Sequence, residues 1–474
     1  MNMLRSDCLD AATAWFDEGH FFDVLQRRVA LRTESDTGKP NPALADYLRG
    51  EMSDSLRALG FACSVMPNPV EGAGPFLVAR RVEDTALPTV LTYGHGDVVS
   101  GQEGRWREGL QPWELVREGE RWYGRGTADN KGQHTVNLGA LAAVIKARDG
   151  RLGYNVTLLL EMGEEAASPG LHAFCESQRA QLKADLLIAC DGPRVHADKP
   201  TLFLGSRGAI NFSLRLRARD KAYHSGNWGG ALLNPATVLA SAVASLVDAR
   251  GRILVPALRP AALPPSVRRA LADVDIGGGE DDPIPDARWG EPGLSLAERL
   301  IGWNTIEVLA LGAGSPQRPV NAIPGEAVAY CQLRFVVGTP YQELAAILRK
   351  HLDRHGFNQV EVEITLSGAA TRLDLDHPWV GWAQRSIAAS SGKPTVTLPN
   401  LAGSLPNDVF ADLLGLPTLW VPHSYPACAQ HAPDEHLLAP VAREGLRIMA
   451  GLYWDLGAAT GLPWHAGRAE RAAA

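Results

Sequence analysis

Three short apolar runs, each ending at residues able to bind a metal ion, constrain this chain more than any other feature. They are "PTVLTYG" (88–94), "YNVTLLLEM" (154–162) and "ADLLIAC" (184–190). Each has the length and composition of a strand. Between the first two, "KGQHTVNLGALAAVIKARDG" spaces Val136, Leu141, Val144 and Ile145 along one helical face. Apolar runs alternating with amphipathic stretches predict an α/β layer fold over the first ~200 residues.

The texture changes near residue 203. "TLFLGSRGAINFSLRLRARD" alternates apolar and polar residues, as a half-exposed antiparallel strand does. A helix is expected at about 234–249, then a Pro/Gly-rich acidic excursion on the surface, "LPPSVRRALADVDIGGGEDDPIPDARWGEPG". "AVAYCQLRFVVG" predicts a strand, "YQELAAILRKHLDRHG" an amphipathic helix and "QVEVEITLSG" another strand. This order predicts a compact α+β unit over 205–368, inserted into a larger α/β domain formed by 1–204 and 369–474. A helix is expected at about 440–457, and "GRAERAAA" is expected to fray.

Composition removes several functional classes. The 474 residues exceed one average domain. A net charge of -7 without any dense Lys/Arg run gives no electrostatic footprint for nucleic acid. No apolar stretch is long enough for a membrane span or a signal peptide, which predicts a cytoplasmic protein. Six scattered cysteines form no CxxC pair, as in a reduced protein, so any metal must be held by histidines and carboxylates.

Such residues collect after the strands, at the sheet edge where α/β proteins bind ligands. "GHGDVV" places His95 and Asp97 after the first run, and "WYGRGTADNKGQ" places Asp129 in a turn before a helix. Glu164 and Glu165 follow the next run and Asp191 the last, while "AQHAPDEHL" adds His431. A lone histidine is more often a core or surface residue than a ligand, and an isolated Glu-Glu pair is ordinarily a solvated loop. Several such residues along one sheet edge have a shared chemistry.

"GHGDVV", "GRGTADNKG", "EMGEEAASPG", "CDGP" and "HAPDE", in this order, resemble the M20 family of co-catalytic metallopeptidases and deacylases. "YHSG", "NAIP" and "LRFVVG" resemble its lid elements, so the likeness covers nearly the whole chain. It implies a zinc-peptidase-type α/β/α catalytic domain with a mixed sheet, interrupted by a ferredoxin-like α+β lid and dimerisation domain. It also implies two divalent ions, zinc first, with manganese or cobalt as alternatives. Asp129 would bridge them, His95 and Asp191 would complete one shell, and Glu165 and His431 the other. His423 and His436 compete with His431 for that place. Asp97 would orient His95, and Glu164 would be the general base toward an attacking water.

Further carry-over makes His224 an oxyanion donor, reaching the partner subunit's site in dimeric relatives. Arg334 would receive a substrate carboxylate, with Asn321, Gly403 and Ser404 as further substrate contacts. Asp191 in place of Glu, and the long lid stretch, resemble the dipeptidase branch. The expected activity is therefore cleavage of short peptides by a homodimer. Deacylation of N-succinyl or N-acetyl amino acids is the alternative, and a non-catalytic binding protein a further one.

Overall fold

The computed structural model describes residues 4–35, 40–277, 283–457 and 462–464; "GRAERAAA" lies outside them, as does part of the acidic excursion. At its centre is an eight-stranded mixed sheet. From one edge to the other its strands are Ala62–Met66, Phe76–Arg81, Asn155–Glu161, Thr89–His95, Leu186–Ala189, Thr418–Trp420, Thr201–Phe203 and Val396–Leu398. Thr89–His95 runs parallel to both its neighbours, whereas Phe76–Arg81 is antiparallel to Asn155–Glu161.

Helices cover both faces, which is why the central strands lack a polar alternation. Val90, Leu158 and Leu186 enter a core with Leu141 and Val144 of the helix Lys131–Ala147 and Leu446 and Met449 of Ala439–Leu456. Their chain neighbours Leu91, Leu159 and Leu187 point the other way, into a core with Leu171 and Phe174. All seven residues of Asn155–Glu161 are buried. At the start of the Lys131–Ala147 helix only glycine fits: a Cβ on Gly132 would lie 1.9 Å from the Thr127 carbonyl oxygen. That contact folds the loop before the helix back onto its first turn.

Residues 208–368 supply a second, four-stranded antiparallel sheet, in the order Thr305–Gly312, Glu326–Phe335, Gly208–Arg217, Glu361–Gly368. The helices Pro235–Leu246 and Leu344–Arg354 share one core with it, through Leu239, Leu246, Leu344 and Leu348. The chain order strand, helix, two strands, helix, strand is ferredoxin-like. Thr305–Gly312 is a strand that the sequence patterning did not mark. The two chain crossings between the sheets run side by side, Gly205–Ser206 pairing with Thr371–Arg372.

One expectation needs correction. The stretch expected to be a surface excursion begins inside the protein: Leu263, Val267 and Leu271 are buried in the core of the main sheet, together with Ala297, Ile301 and Trp303 just beyond it. Val267 and Leu271 are four apart and share one face of the short helix Pro265–Leu271, which gives them an apolar side to bury. This part of the inserted segment therefore packs on the main sheet rather than on the smaller one.

Candidate metal and catalytic site

His95 ends the strand Thr89–His95, Glu164 and Glu165 lie in a 3₁₀ turn three residues past Asn155–Glu161, and Asp191 follows Leu186–Ala189. Asp129 closes the loop before the Lys131–Ala147 helix, and His431 stands in the loop before the strand His436–Leu438. The structure brings all five expected ligands together. His95 Nε2 lies 3.0 Å from Asp129 Oδ1 and 3.7 Å from Asp191 Oδ2. His431 Nε2 lies 3.1 Å from Asp129 Oδ2 and 3.0 Å from Glu165 Oε2. The two oxygens of Asp129 thus face different imidazoles, and the Nε2 of each imidazole faces one further carboxylate.

The electrostatics fit a site built for cations. Burial pushes Glu165 up to about 7 and Asp191 up to about 6, with Asp129 adding to both. Burial also holds Glu164 well above the usual carboxylate range. Asp129 shows the reverse: burial opposes its charge, but hydrogen bonds from His431 and His95 bring it below that range. Asp129 and Glu165 raise His431 to about 11. Among the described residues, the basic groups paired with Asp129, Asp191 and Glu165 are the two imidazoles, which would have to lose their protons to bind metal. Three carboxylates and two imidazoles, with donor atoms of His95, Asp129 and Glu165 within 4.8 Å of one another, suit divalent ions with nitrogen and oxygen preference.

Asp97, expected to orient His95, also makes contacts that the sequence did not suggest. Its carboxylate lies 3.5 Å from His95 Nδ1, but its oxygens also accept the backbone N–H groups of Glu164, at 3.2 Å, and Glu165, at 3.1 Å. It ties the end of one strand to the turn after the next.

The loop carrying Asp129 is held by a residue whose role sequence reasoning missed. Buried Glu435 accepts the backbone N–H groups of Gly126, Ala128 and Asp129 and pairs with Arg125 at 2.7 Å. It lies four residues after His431, so one segment anchors both the loop of the shared carboxylate and its own histidine. Gln430 Nε2 also donates to Asp129 Oδ2, at 2.8 Å. The only available signal was the acidic end of "HAPDE".

The competing histidines go elsewhere. His423 is buried against Gly445 and Arg194, and His436 bonds to the Tyr425 hydroxyl and the Asp434 carbonyl.

The expected substrate contacts form two groups. Arg334 donates to Ser404 Oγ and to Gln332 Oε1, both at 2.8 Å, and Ser404 donates to the Arg207 carbonyl, with Gly403 in the same turn. Arg207 was not anticipated; burial and the neighbouring Arg334 lower it to about 10. The second group is His224 and Asn321, on adjoining backbone: Ser225 N–H donates to the Asn321 carbonyl. His224 is exposed, and its Nδ1 accepts the Gly226 N–H. Among the described residues, no recorded hydrogen bond joins it to the carboxylate cluster.

Comparison with known proteins gives a consistent picture. A profile of peptidase family M20/M25/M40 matches residues 91–455. Over 463 residues the chain is 24% identical to a Beta-Ala-His dipeptidase of Rattus norvegicus, covering 93% of each protein. A Cys-Gly metallodipeptidase of Candida albicans is 25% identical over 473 residues, covering 91% of this chain and 93% of that one. The fold matches that of an M20 family metallo-carboxypeptidase from Sulfolobus solfataricus with a TM-score of 0.79 at 23% identity, over 92% of this chain and 99% of the other.

Proposed function

The chain belongs to peptidase family M20/M25/M40, and from that premise we propose that it is a two-metal dipeptidase cleaving the amide bond of short peptides. The observation that carries this reading is the divided environment of Asp129, one oxygen toward His95 and Asp191 and the other toward His431 and Glu165. The names of the full-length relatives support dipeptides over N-acyl amino acids. His95, Asp129 and Asp191 would hold one ion, and Asp129, Glu165 and His431 the other. Zinc suits this donor set, with manganese and cobalt close behind. When bound, the ions would polarise the scissile carbonyl and raise the acidity of the attacking water.

The remaining chemistry belongs to the chain. Glu164, beside the proposed ligands and without a side-chain hydrogen bond or ion pair among the described residues, takes a proton from the attacking water and delivers it to the leaving amine. Arg334, fixed by Gln332 and Ser404, offers a forked donor to the substrate's C-terminal carboxylate. The buried positive charge of Arg207 beside it adds to the attraction for an anion there.

His224 would complete the site from a second subunit as oxyanion donor. The uncovered side of the four-stranded sheet supports such a homodimer, since Tyr330 and Leu366 are exposed there, with Leu309 exposed at the bulge of the edge strand. Residues 205–368 would then act as lid and dimerisation domain between catalytic segments 1–204 and 369–474. The paired crossings are its hinge, where a Cβ on Gly205 would come within 2.2 Å of the Thr371 carbonyl oxygen. We assign the enzyme to the cytoplasm. All six cysteines are unpaired, and no helix of the described residues is long and apolar enough to cross a membrane.

A substrate panel tests the reading. Zinc-loaded protein should release free amino acids from dipeptides, lose that activity to a chelator, and leave N-succinyl and N-acetyl amino acids intact. Glu164→Gln should retain zinc and lose at least ~100-fold in kcat. Hydrolysis confined to N-acyl substrates would replace the dipeptidase assignment with a deacylase.

A further inference from the structure

The turn that carries Glu164 and Glu165 is an awkward piece of backbone. Ala167 has a φ of 67° and Ser168 a φ of 49°, two successive non-glycine residues in the left-handed region that side chains disfavour. The turn closes on itself through Ala167 N–H to the Glu164 carbonyl and Ser168 N–H to the Gly163 carbonyl, each 2.8 Å. Such a conformation persists only where its surroundings hold it.

Two buried carboxylates do so, one at each end. Asp97 accepts the backbone N–H groups of Glu164 and Glu165. At the far end, Oε1 of Glu161 accepts the Ser168 hydroxyl at 3.0 Å and the Tyr93 hydroxyl at 2.6 Å. Glu161 is 1% exposed at the end of a fully buried strand. Tyr93, its other partner, packs on Phe410 and Trp420. A buried carboxylate in apolar surroundings is costly, and a leucine would fill such a position without that cost. What the carboxylate provides and leucine cannot is the pair of hydrogen bonds, one fixed to the core through Tyr93 and one to the strained turn.

We propose that Glu161 and Ser168 form a latch that positions Glu164, with Glu161 fixed on the core by Tyr93 and Ser168 securing the strained end of the turn. Neither residue touches substrate or metal in this scheme; both are positioning residues. The inference rests on the reading of Glu164 as general base.

Kinetics and zinc calorimetry on single and double variants test it. Ser168→Ala should lower kcat for a dipeptide about tenfold, with KM and zinc affinity unchanged within twofold. Glu161→Leu should give a similar loss, and the double variant Glu161→Leu/Ser168→Ala no further loss, because both break the same latch. Ala167→Gly, which relieves the backbone that the latch restrains, should return Ser168→Ala to at least half the kcat of the parent. Normal kcat in Ser168→Ala would overturn the latch. Tenfold weaker zinc binding in that variant would also overturn it, since the turn would then act through Glu165. The Glu164→Gln variant separates the two levels. If it is inactive while Ser168→Ala is fully active, the latch alone fails; if it is fully active, the general-base reading fails and the latch with it.

Discussion

His95 and His431 face the same carboxylate from opposite sides, but the protein holds them by different means. His95 is 0% exposed at the end of a central strand, with Asp97 against its other nitrogen and Asp191, also buried, beside it. The His431 side chain is 57% exposed, on a loop residue with a φ of 60°. Its carbonyl is held by the side chain of Gln102, and the loop by Asp434, which accepts the Arg107 N–H. One half of the site is thus part of the sheet and its core, while the other rests on loops braced by Glu435 beneath and by residues 102–107 above. The lesson is that a carboxylate–histidine cluster can be built into a sheet on one side and carried on a loop on the other, with the shared carboxylate of Asp129 as the boundary.

Mutations should reveal this asymmetry. The largest effect is expected for Asp129→Ala, which removes the oxygens facing both halves. Metal content should fall from about two ions per chain to none, and kcat/KM by roughly 10³-fold or more. His95→Ala should come close to that loss. His431→Ala should keep about one ion, on the His95 and Asp191 side, and lose ~10–100-fold in affinity for the other. Metal analysis after dialysis against a weak chelator reads all three. Equal losses in the two histidine variants would remove the distinction between the halves.

A smaller effect is expected in the pH dependence of stability. In the metal-free protein Glu165 and Asp191 hold protons to about 7 and about 6, above their unfolded values, and His95 and His431 are also raised. Through these four groups the folded state binds more protons than the unfolded one in the neutral range, so their contribution to metal-free stability should fall as pH rises from 5 to 8, with buried His134 and His423, held well below the usual histidine range, acting in the opposite sense at the acid end. Metal binding needs these groups deprotonated, so affinity should rise over the same interval. The difference in Tm between zinc-loaded and metal-free protein should widen from pH 5 to 8, as read by calorimetry. A constant difference would mean that the ligands already stand deprotonated.

How much of this was legible in the sequence depended on what each residue contacts. The convergence of His95, Asp129, Glu165, Asp191 and His431 was legible because histidines and carboxylates recur at successive strand ends and their neighbours in the chain carry a family pattern. Glu435 and Glu161 were not: apart from Arg125, 310 residues away from Glu435 in the chain, their partners are backbone N–H groups and the hydroxyls of Ser168 and Tyr93, which leave no mark in the spacing of charged residues. Thr305–Gly312 escaped notice because an edge strand exposed along most of its length lacks the burial alternation that reveals strands. Val267 and Leu271 were hidden by the prolines, glycines and acids around them, although their four-residue spacing marks a helical face. The choice of His431 over His423 and His436 rested on a motif, and only the fold shows the other two side chains directed elsewhere.

The most direct test of the account is a crystal structure of the zinc-loaded protein with anomalous scattering recorded at the zinc edge. Two peaks are predicted, one on each side of Asp129, the first against His95 and Asp191 and the second against Glu165 and His431, with Glu164 left out of both shells. A single peak, peaks away from Asp129, or a zinc ion bound by Glu164 would contradict it.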